Sequence, residues 1–130
     1  MVQFADDLAT YLQTSSIGTV GTDLFKGNAP DVPDNVVVLN DTGGLPNVLN
    51  EKGAAVELIT VQILARNKRQ EQARDKLLTI QALLHQLVNT DLGTFTIISA
   101  RAFDRPSVIG KDVKERWQLV SNYEIRVRTS

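Results

Sequence analysis

KRQEQARDKLLTIQALLHQLV, residues 68–88, decides the fold. Ala73, Leu77, Ile80, Leu84 and Leu87 recur at spacings of four, three, four and three, and Leu83 widens the stripe. That periodicity predicts an amphipathic helix over Lys68–Val88. At ~1.5 Å per residue it would span about 30 Å, enough to cover one side of a small sheet. Asn67 stands where an N-cap is needed, and Gln70 three residues on completes an Asn-x-x-Q variant of the capping box. Asn89–Gly93 ends the helix. Lys68, Arg69, Arg74 and Lys76 sit at its positive end, an unfavourable place that calls for an acidic neighbour.

Downstream of this helix, Thr94–Ala102 reads as a strand with Phe95 and Ile97 on one face and Ile98, Ala100 and Ala102 on the other. Asp104–Glu115 is a polar connection holding Pro106 and Gly110. Arg116–Thr129 then alternates. Trp117, Leu119, Tyr123, Ile125 and Val127 face in, and Gln118, Asn122, Glu124, Arg126 and Arg128 face out. Upstream, Val56–Arg66 is a strand whose apolar phase changes from Val56 and Leu58 to Ile59, Val61, Ile63 and Ala65. A bulge near Leu58–Thr60 would explain this, as would partial cover of both faces, which is the preferred reading.

Asn40–Gly53, with three glycines and Pro46, reads as a long loop. Val36–Leu39 is a compact strand, Gly27–Asp34 a turn-rich connection with two prolines, and Ile17–Phe25 a weak strand. Val2–Gln13 is a short amphipathic helix with Phe4, Leu8 and Tyr11/Leu12 on one face. The order α-β-β-β-α-β-β gives an α+β fold: a mainly antiparallel sheet of four to five strands with two helices packed against it.

With 130 residues, 42% of them hydrophobic and 22% charged, the chain is expected to form one domain, residues 1–130, around its own core. Cysteine is absent, which removes disulfides and thiolate zinc sites. Met1–Thr14 carries Asp6 and Asp7 and does not resemble a secretory leader, and no apolar run approaches a membrane span. Folding in the cytosol, with no membrane partner, is the expectation. The formal net charge of -1 hides an asymmetry. Residues 1–57 hold eight acids against Lys26 and Lys52, whereas residues 58–130 hold twelve basic and seven acidic residues. Either the two halves meet head to tail between identical copies, or they interleave within the fold. Arg66, Arg101, Arg116, Arg126 and Arg128 are the candidate subunit-contact charges, because a stripe of them would meet the acids of the first half.

Asp41-Thr42-Gly43, after the strand Val36–Leu39, is the one motif that looks catalytic. Retroviral-type aspartic proteases place Asp-Thr-Gly after an apolar strand and pair two carboxylates across a homodimer. Even Val108-Ile109-Gly110 loosely mimics their second element. Against this stand the long helix, which such a fold lacks, the continuation Gly44-Leu45-Pro46, and the separation of Asp41 from the apolar run by Asn40. Asp-Thr-Gly-Gly is also what a flexible turn requires. His85, the single histidine, lacks partners at metal or triad spacing, so a structural or surface role is expected. No phosphate-binding glycine loop is present, and the pI of about 5.8 argues against specific nucleic-acid recognition. No enzyme activity, cofactor or metal is expected.

A larger pattern runs through the chain. Asp7-Leu8-Ala9-x-Tyr11-Leu12 is followed by Gly21-Thr22-Asp23-Leu24-Phe25-x-Gly27, then Asp34-Asn35-Val36-Val37 and Asp41-Thr42-Gly43-Gly44. Next come Val61-Gln62-Ile63-Leu64-Ala65-Arg66, the helix with Ala73 and Leu84, Trp117, and Asn122-Tyr123-Glu124. This ordered set resembles the minor capsid or tail terminator proteins of long-tailed bacteriophages. The resemblance implies a virion subunit, assembled in the host bacterial cytoplasm, that forms a homohexameric ring. The ring caps the head-proximal end of the tail tube, stops polymerisation, passes DNA and docks a head-side connector or stopper protein. A different neck component, such as a head-completion protein, is the alternative. In such a subunit the two long loops would be contact arms. Their candidate interface residues are Asp41, Thr42, Gly43, Gly44 and Leu45 in one, and Asp104, Arg105, Val108, Ile109 and Lys111 in the other.

Overall fold

The computed structural model describes residues 4–49, 55–93 and 95–129. Residues 2–3, 50–53 and 94 of the predicted spans lie outside these. The elements are α1 (Phe4–Thr14), β1 (Leu24–Lys26), β2 (Val36–Leu49), β3 (Ala55–Asn67), α2 (Gln70–His85), β4 (Thr90–Leu92), β5 (Phe95–Ala102), β6 (Ser107–Lys111) and β7 (Trp117–Thr129). One seven-stranded sheet runs β1-β2-β3-β7-β5-β4, and β6 also pairs with β7.

The α+β expectation holds, but the sheet is mixed and the strand list is longer. β1 lies parallel to β2, with Leu24 opposite Val37 and Lys26 opposite Leu39. Parallel neighbours normally need a long crossover. Here β1 is only three residues long, so the Gly27–Asn35 connection suffices to bring the chain back. Apolar periodicity carries no strand direction, which is why the sequence reading expected a mainly antiparallel sheet and did not foresee the parallel pairing of β1. β4 and β6 are additional short strands inside the predicted helix end and the predicted polar connection.

The largest correction concerns Asn40–Gly53. This segment does not loop away after Leu39, because β2 continues to Leu49 and pairs antiparallel with β3 from Val36↔Arg66 to Leu49↔Ala55. The ladder with β3 satisfies backbone groups that the glycines alone would leave to solvent. Two register shifts, at Asp41/Gly43 and Leu45/Val48, absorb the irregular sequence. A bulge therefore exists opposite Val61 and Thr60, but in β2 and not in β3. Both faces of β3 are also partly covered. Ile59, Val61, Ile63 and Ala65 are buried on the helix side, and Val38, opposite Leu64, is buried on the other.

The helix α2 keeps the predicted stripe: Ala73, Leu77, Ile80 and Leu84 are buried. It is shorter than expected. Asn67 does not cap it, since its Oδ1 accepts the Arg69 backbone N–H (2.9 Å) in a local turn, and extended Arg69 becomes the N-cap without a side-chain bond. At the other end, Gln86 and Leu87 donate back to Leu83 and Leu84 carbonyls and Asn89 takes a positive φ, so the chain leaves the helix after His85. The expected acidic neighbour is present: Lys68 pairs with Asp34 at 3.4 Å.

Both helices share one core with the sheet. Phe4, Leu8 and Leu12 of α1 and the α2 stripe meet Ile59, Val61, Ile63, Leu119, Tyr123, Ile125 and Val127. Phe4 stands edge-on to Phe95, ring centroids 5.5 Å apart. α1 is held close to β4 at Gly93, which has a φ of 60° and where a Cβ would fall 2.6 Å from the Asp7 carboxylate. The alternation read for β7 is observed, with Leu119, Tyr123, Ile125 and Val127 buried and Arg126 and Arg128 exposed. Ser121 joins the buried side, opposite Ile63.

Candidate assembly surfaces

β3 and β7 are the central strands of the sheet, and three structures are hung from them: a clasped corner, the β2 margin beside β3 and the β6 margin beside β7. The clasped corner is built on two buried arginines. Arg66, at the end of β3, turns its guanidinium onto the Pro30–Asp34 backbone. Its Nη2 donates to the carbonyls of Pro33 (2.7 Å) and Pro30 (2.8 Å), and its Nε donates to that of Asp34 (3.2 Å). These carbonyls belong to a proline-rich stretch that no strand ladder can satisfy, so a fork-shaped donor fits them. Burial and the neighbouring Arg116 charge push the Arg66 guanidinium below its usual range.

Arg116, just before β7, is buried beside it. Its Nη2 lies 2.7 Å from Asp112 Oδ2 and 3.2 Å from Asp31 Oδ1, and its Nη1 lies 3.4 Å from Asp34 Oδ1. Asp112 also receives the Arg116 and Lys114 backbone N–H groups at its Oδ1. Bonds from the Arg116 side chain and then its backbone hold the Asp112 carboxyl down at about 2. The same Asp112 contact raises the Arg116 guanidinium above its usual range. Lys114 pairs with Asp31 and, with Arg116, lowers its carboxyl. The acids of the first half of the sequence thus meet bases of the second half within one chain.

This sorts the five candidate contact charges. Arg66 and Arg116 are buried and committed to their own chain. Arg101 and Arg126 flank Glu124 at 3.2 and 4.0 Å on the solvent side of β5 and β7, and Arg128 is exposed near the end of β7. The sequence reading named both buried arginines as contacts between copies and did not expect them to form an internal pair. The available signal for that pair was Pro30-Asp31-Val32-Pro33-Asp34, a segment rich in carbonyls that lack a ladder.

The two predicted arms become the sheet's two free margins. On one side, Asp41, Thr42 and Gly43 are exposed on β2. Asp41 Oδ1 accepts the Gly43 N–H (2.9 Å), and the Thr42 and Thr60 hydroxyls bond at 2.9 Å across the bulge. Gly44 and Leu45 pair through their backbones with Ile59 and Leu58. On the other side, Asp104 accepts the Asn122 backbone and side-chain N–H groups, both at 3.3 Å, which fixes the turn from β5 into β6. Arg105 is exposed, as are Val108 (39%) and Ile109 (57%), and Lys111 lies over the Trp117 ring at 4.7 Å. Phe103 (53%) and Val113 (100%) extend the apolar exposure at both ends of β6. The structure does not bring the Asp41 and Asp104 groups together. They lie on opposite margins of the sheet.

His85 is exposed at the end of α2, where its Nε2 faces the Ala102 N–H at 3.4 Å. A polar cleft of about 400 Å³ lies between α2 and the β2–β3 end, with Asp23, Asn35, Gln72 and Lys76 in its wall. Among the described residues no group of three or more His, Cys, Asp or Glu is placed to hold a metal ion. Among them, too, no helix is long and apolar enough to cross a membrane.

Among the described residues the sheet thus has an unpaired margin on each side and an internal clasp that fixes one corner. A family model described as bacteriophage tail terminator protein matches residues 11–129, and the chain belongs to that family. It is therefore a structural component of a phage virion tail that associates with other tail or virion parts. No curated protein matches the chain in sequence.

Proposed function

We propose that copies of this chain form a ring on the head-proximal end of the tail tube. The ring ends tube polymerisation and presents the surface to which the head-side connector or stopper binds, with DNA passing through it. The observation that carries this reading is the family match across residues 11–129, nearly the whole chain. The fold supplies suitable parts. The clasp fixes the Gly27–Asn35 connection to the β6–β7 turn, giving a stiff body, and the free margins carry exposed residues of both signs and exposed aliphatic groups. A hexamer is the ring size the resemblance implies. Assembly takes place in the host cytoplasm.

The chain acts without catalysis on this reading. Asp41 supports it, since its carboxylate sits on an exposed, bulged strand and is held by the Gly43 N–H of its own turn. Absence of peptidase activity at acidic pH, unchanged in Asp41→Asn, is the expected result. Co-sedimentation separates the tail terminator from a head-completion protein. The chain should pellet with purified tail tubes and not with filled, tail-less heads. The opposite partition would assign it to the head side.

A further inference from the structure

The longest unpaired stretches of sheet backbone lie at diagonal corners. On one margin β1 shields Val37–Leu39 and goes no further, so among the described residues Asn40–Leu49 pairs only with β3. On the other margin β4 shields Phe95–Ile97, and the Asn89 N–H reaches the Ile98 carbonyl. β6 pairs only with β7 and, among the described residues, has no neighbour on its outer side. Free backbone donors and acceptors of this kind are a template for another strand.

Strand direction makes the two corners compatible. β2 and β7 are both antiparallel to β3, so they run the same way, and β6 runs against β7. Two copies standing side by side in the same orientation therefore bring β6 of one antiparallel to β2 of the next. The charges have opposite sign: Arg105 and Lys111 flank β6, and Asp41 is exposed on β2. Ile109 and Val108 supply exposed apolar surface at the joint. A bulge interrupts each segment, at Thr42 and at Ile109, so the shared ladder is short.

We infer that neighbouring copies join by antiparallel pairing of β6 with the Asn40–Leu45 part of β2. This rests on the ring reading above and specifies its joint. The contact is heterologous, using a different surface on each partner, and so propagates around a ring. It also fixes the strand tilt. The two corners are about six residues apart along β7, Gln118 against Glu124, which is about 20 Å at ~3.3 Å per residue. The four strands β2, β3, β7 and β6 span about 19 Å at ~4.8 Å spacing. Closure without a helical rise then needs strands inclined by about 45° to the ring axis, near the tilt of closed barrels. β4 of one copy and β1 of the next flank the joint on either side without overlapping it.

The cysteine-free chain makes a direct test available. Ile109→Cys is combined in turn with Asn40→Cys, Asp41→Cys and Thr42→Cys, so that a register shift is still caught. Each variant is assembled on purified tail tubes, oxidised, and run on a non-reducing gel. At least one pair should give a ladder of covalent multimers up to the closed ring, while Thr10→Cys with Ile109→Cys stays monomeric. Rings seen on the tubes by microscopy with no ladder from any of the three pairs would overturn the edge joint and leave the ring intact. No ring on the tubes with the unmodified chain would overturn both.

Discussion

Gly27–Asn35 and Asn40–Leu45 are near neighbours in sequence, are both rich in glycine, asparagine and aspartate, and end up with opposite physical characters. The first is irregular yet fixed, because Arg66 and Arg116 supply the donors its carbonyls need. The second is regular yet open, because β3 pairs with one side of it and no strand among the described residues pairs with the other. Whether a segment is rigid is decided by where its backbone hydrogen bonds go, and local composition does not determine that. On the proposed function, the clasped stretch would serve shape and the open one is the proposed contact.

Breaking the clasp should have the largest effect. Arg66→Ala removes several part-buried, charge-assisted bonds to carbonyls and should cost about 2–3 kcal/mol in urea unfolding. Amide exchange should rise across Gly27–Asn35 and stay unchanged across Asn40–Leu45. Equal loosening of both would mean that the two regions are not independent.

Acid should weaken the same corner. Asp112 titrates at about 2 in the folded chain and Asp31 is also lowered, both below the ordinary 3.8. Their stabilisation is complete above the unfolded value and is lost as pH falls from about 4 through 2. Thermal melts should be flat in this respect at higher pH and drop below about pH 4. Arg116→Met should be less stable at neutral pH and should show a smaller acid drop.

On the open margin the effects on folding should be small. Gly43→Ala meets no neighbour within 4 Å but forces a φ of 112° on a residue with a Cβ, which should cost about 1 kcal/mol. Ile109→Ser, at a position 57% exposed, should change stability by less than ~0.5 kcal/mol. Measured against the clasp variants, that near-silence in melts combined with weakened ring formation would mark Ile109 as a contact residue and not a structural one.

Much of the frame could be read from the chain. The stripe of α2 and the alternation of β7 both arise from one face meeting one core, and each survives folding almost residue for residue. What could not be read depended on pairing at a distance. β2 runs through Asp41-Thr42-Gly43-Gly44 only because Ile59 and Thr60 lie across from it, and bulges absorb the misfit. β4 and β6 are too short for a periodicity to register. The direction of β1 follows from the path of Gly27–Asn35, which hydropathy does not encode. Asn67 has the composition of a cap but spends its side chain one turn early, on the Arg69 N–H. The two segments read as loose arms are strands at the sheet's margins, a form their composition does not announce. In the sequence Arg66 and Arg116 read as contact charges between copies, but within the chain Arg66 holds backbone carbonyls and Arg116 pairs with Asp31, Asp34 and Asp112.

The central claim is that this chain ends the tail. Tube protein polymerised with and without it, then imaged by electron microscopy, tests that most directly. The account predicts tubes bearing a six-fold ring at one end and no further growth from that end. Tubes that keep growing from both ends at the same rate, with no ring on either, would contradict it.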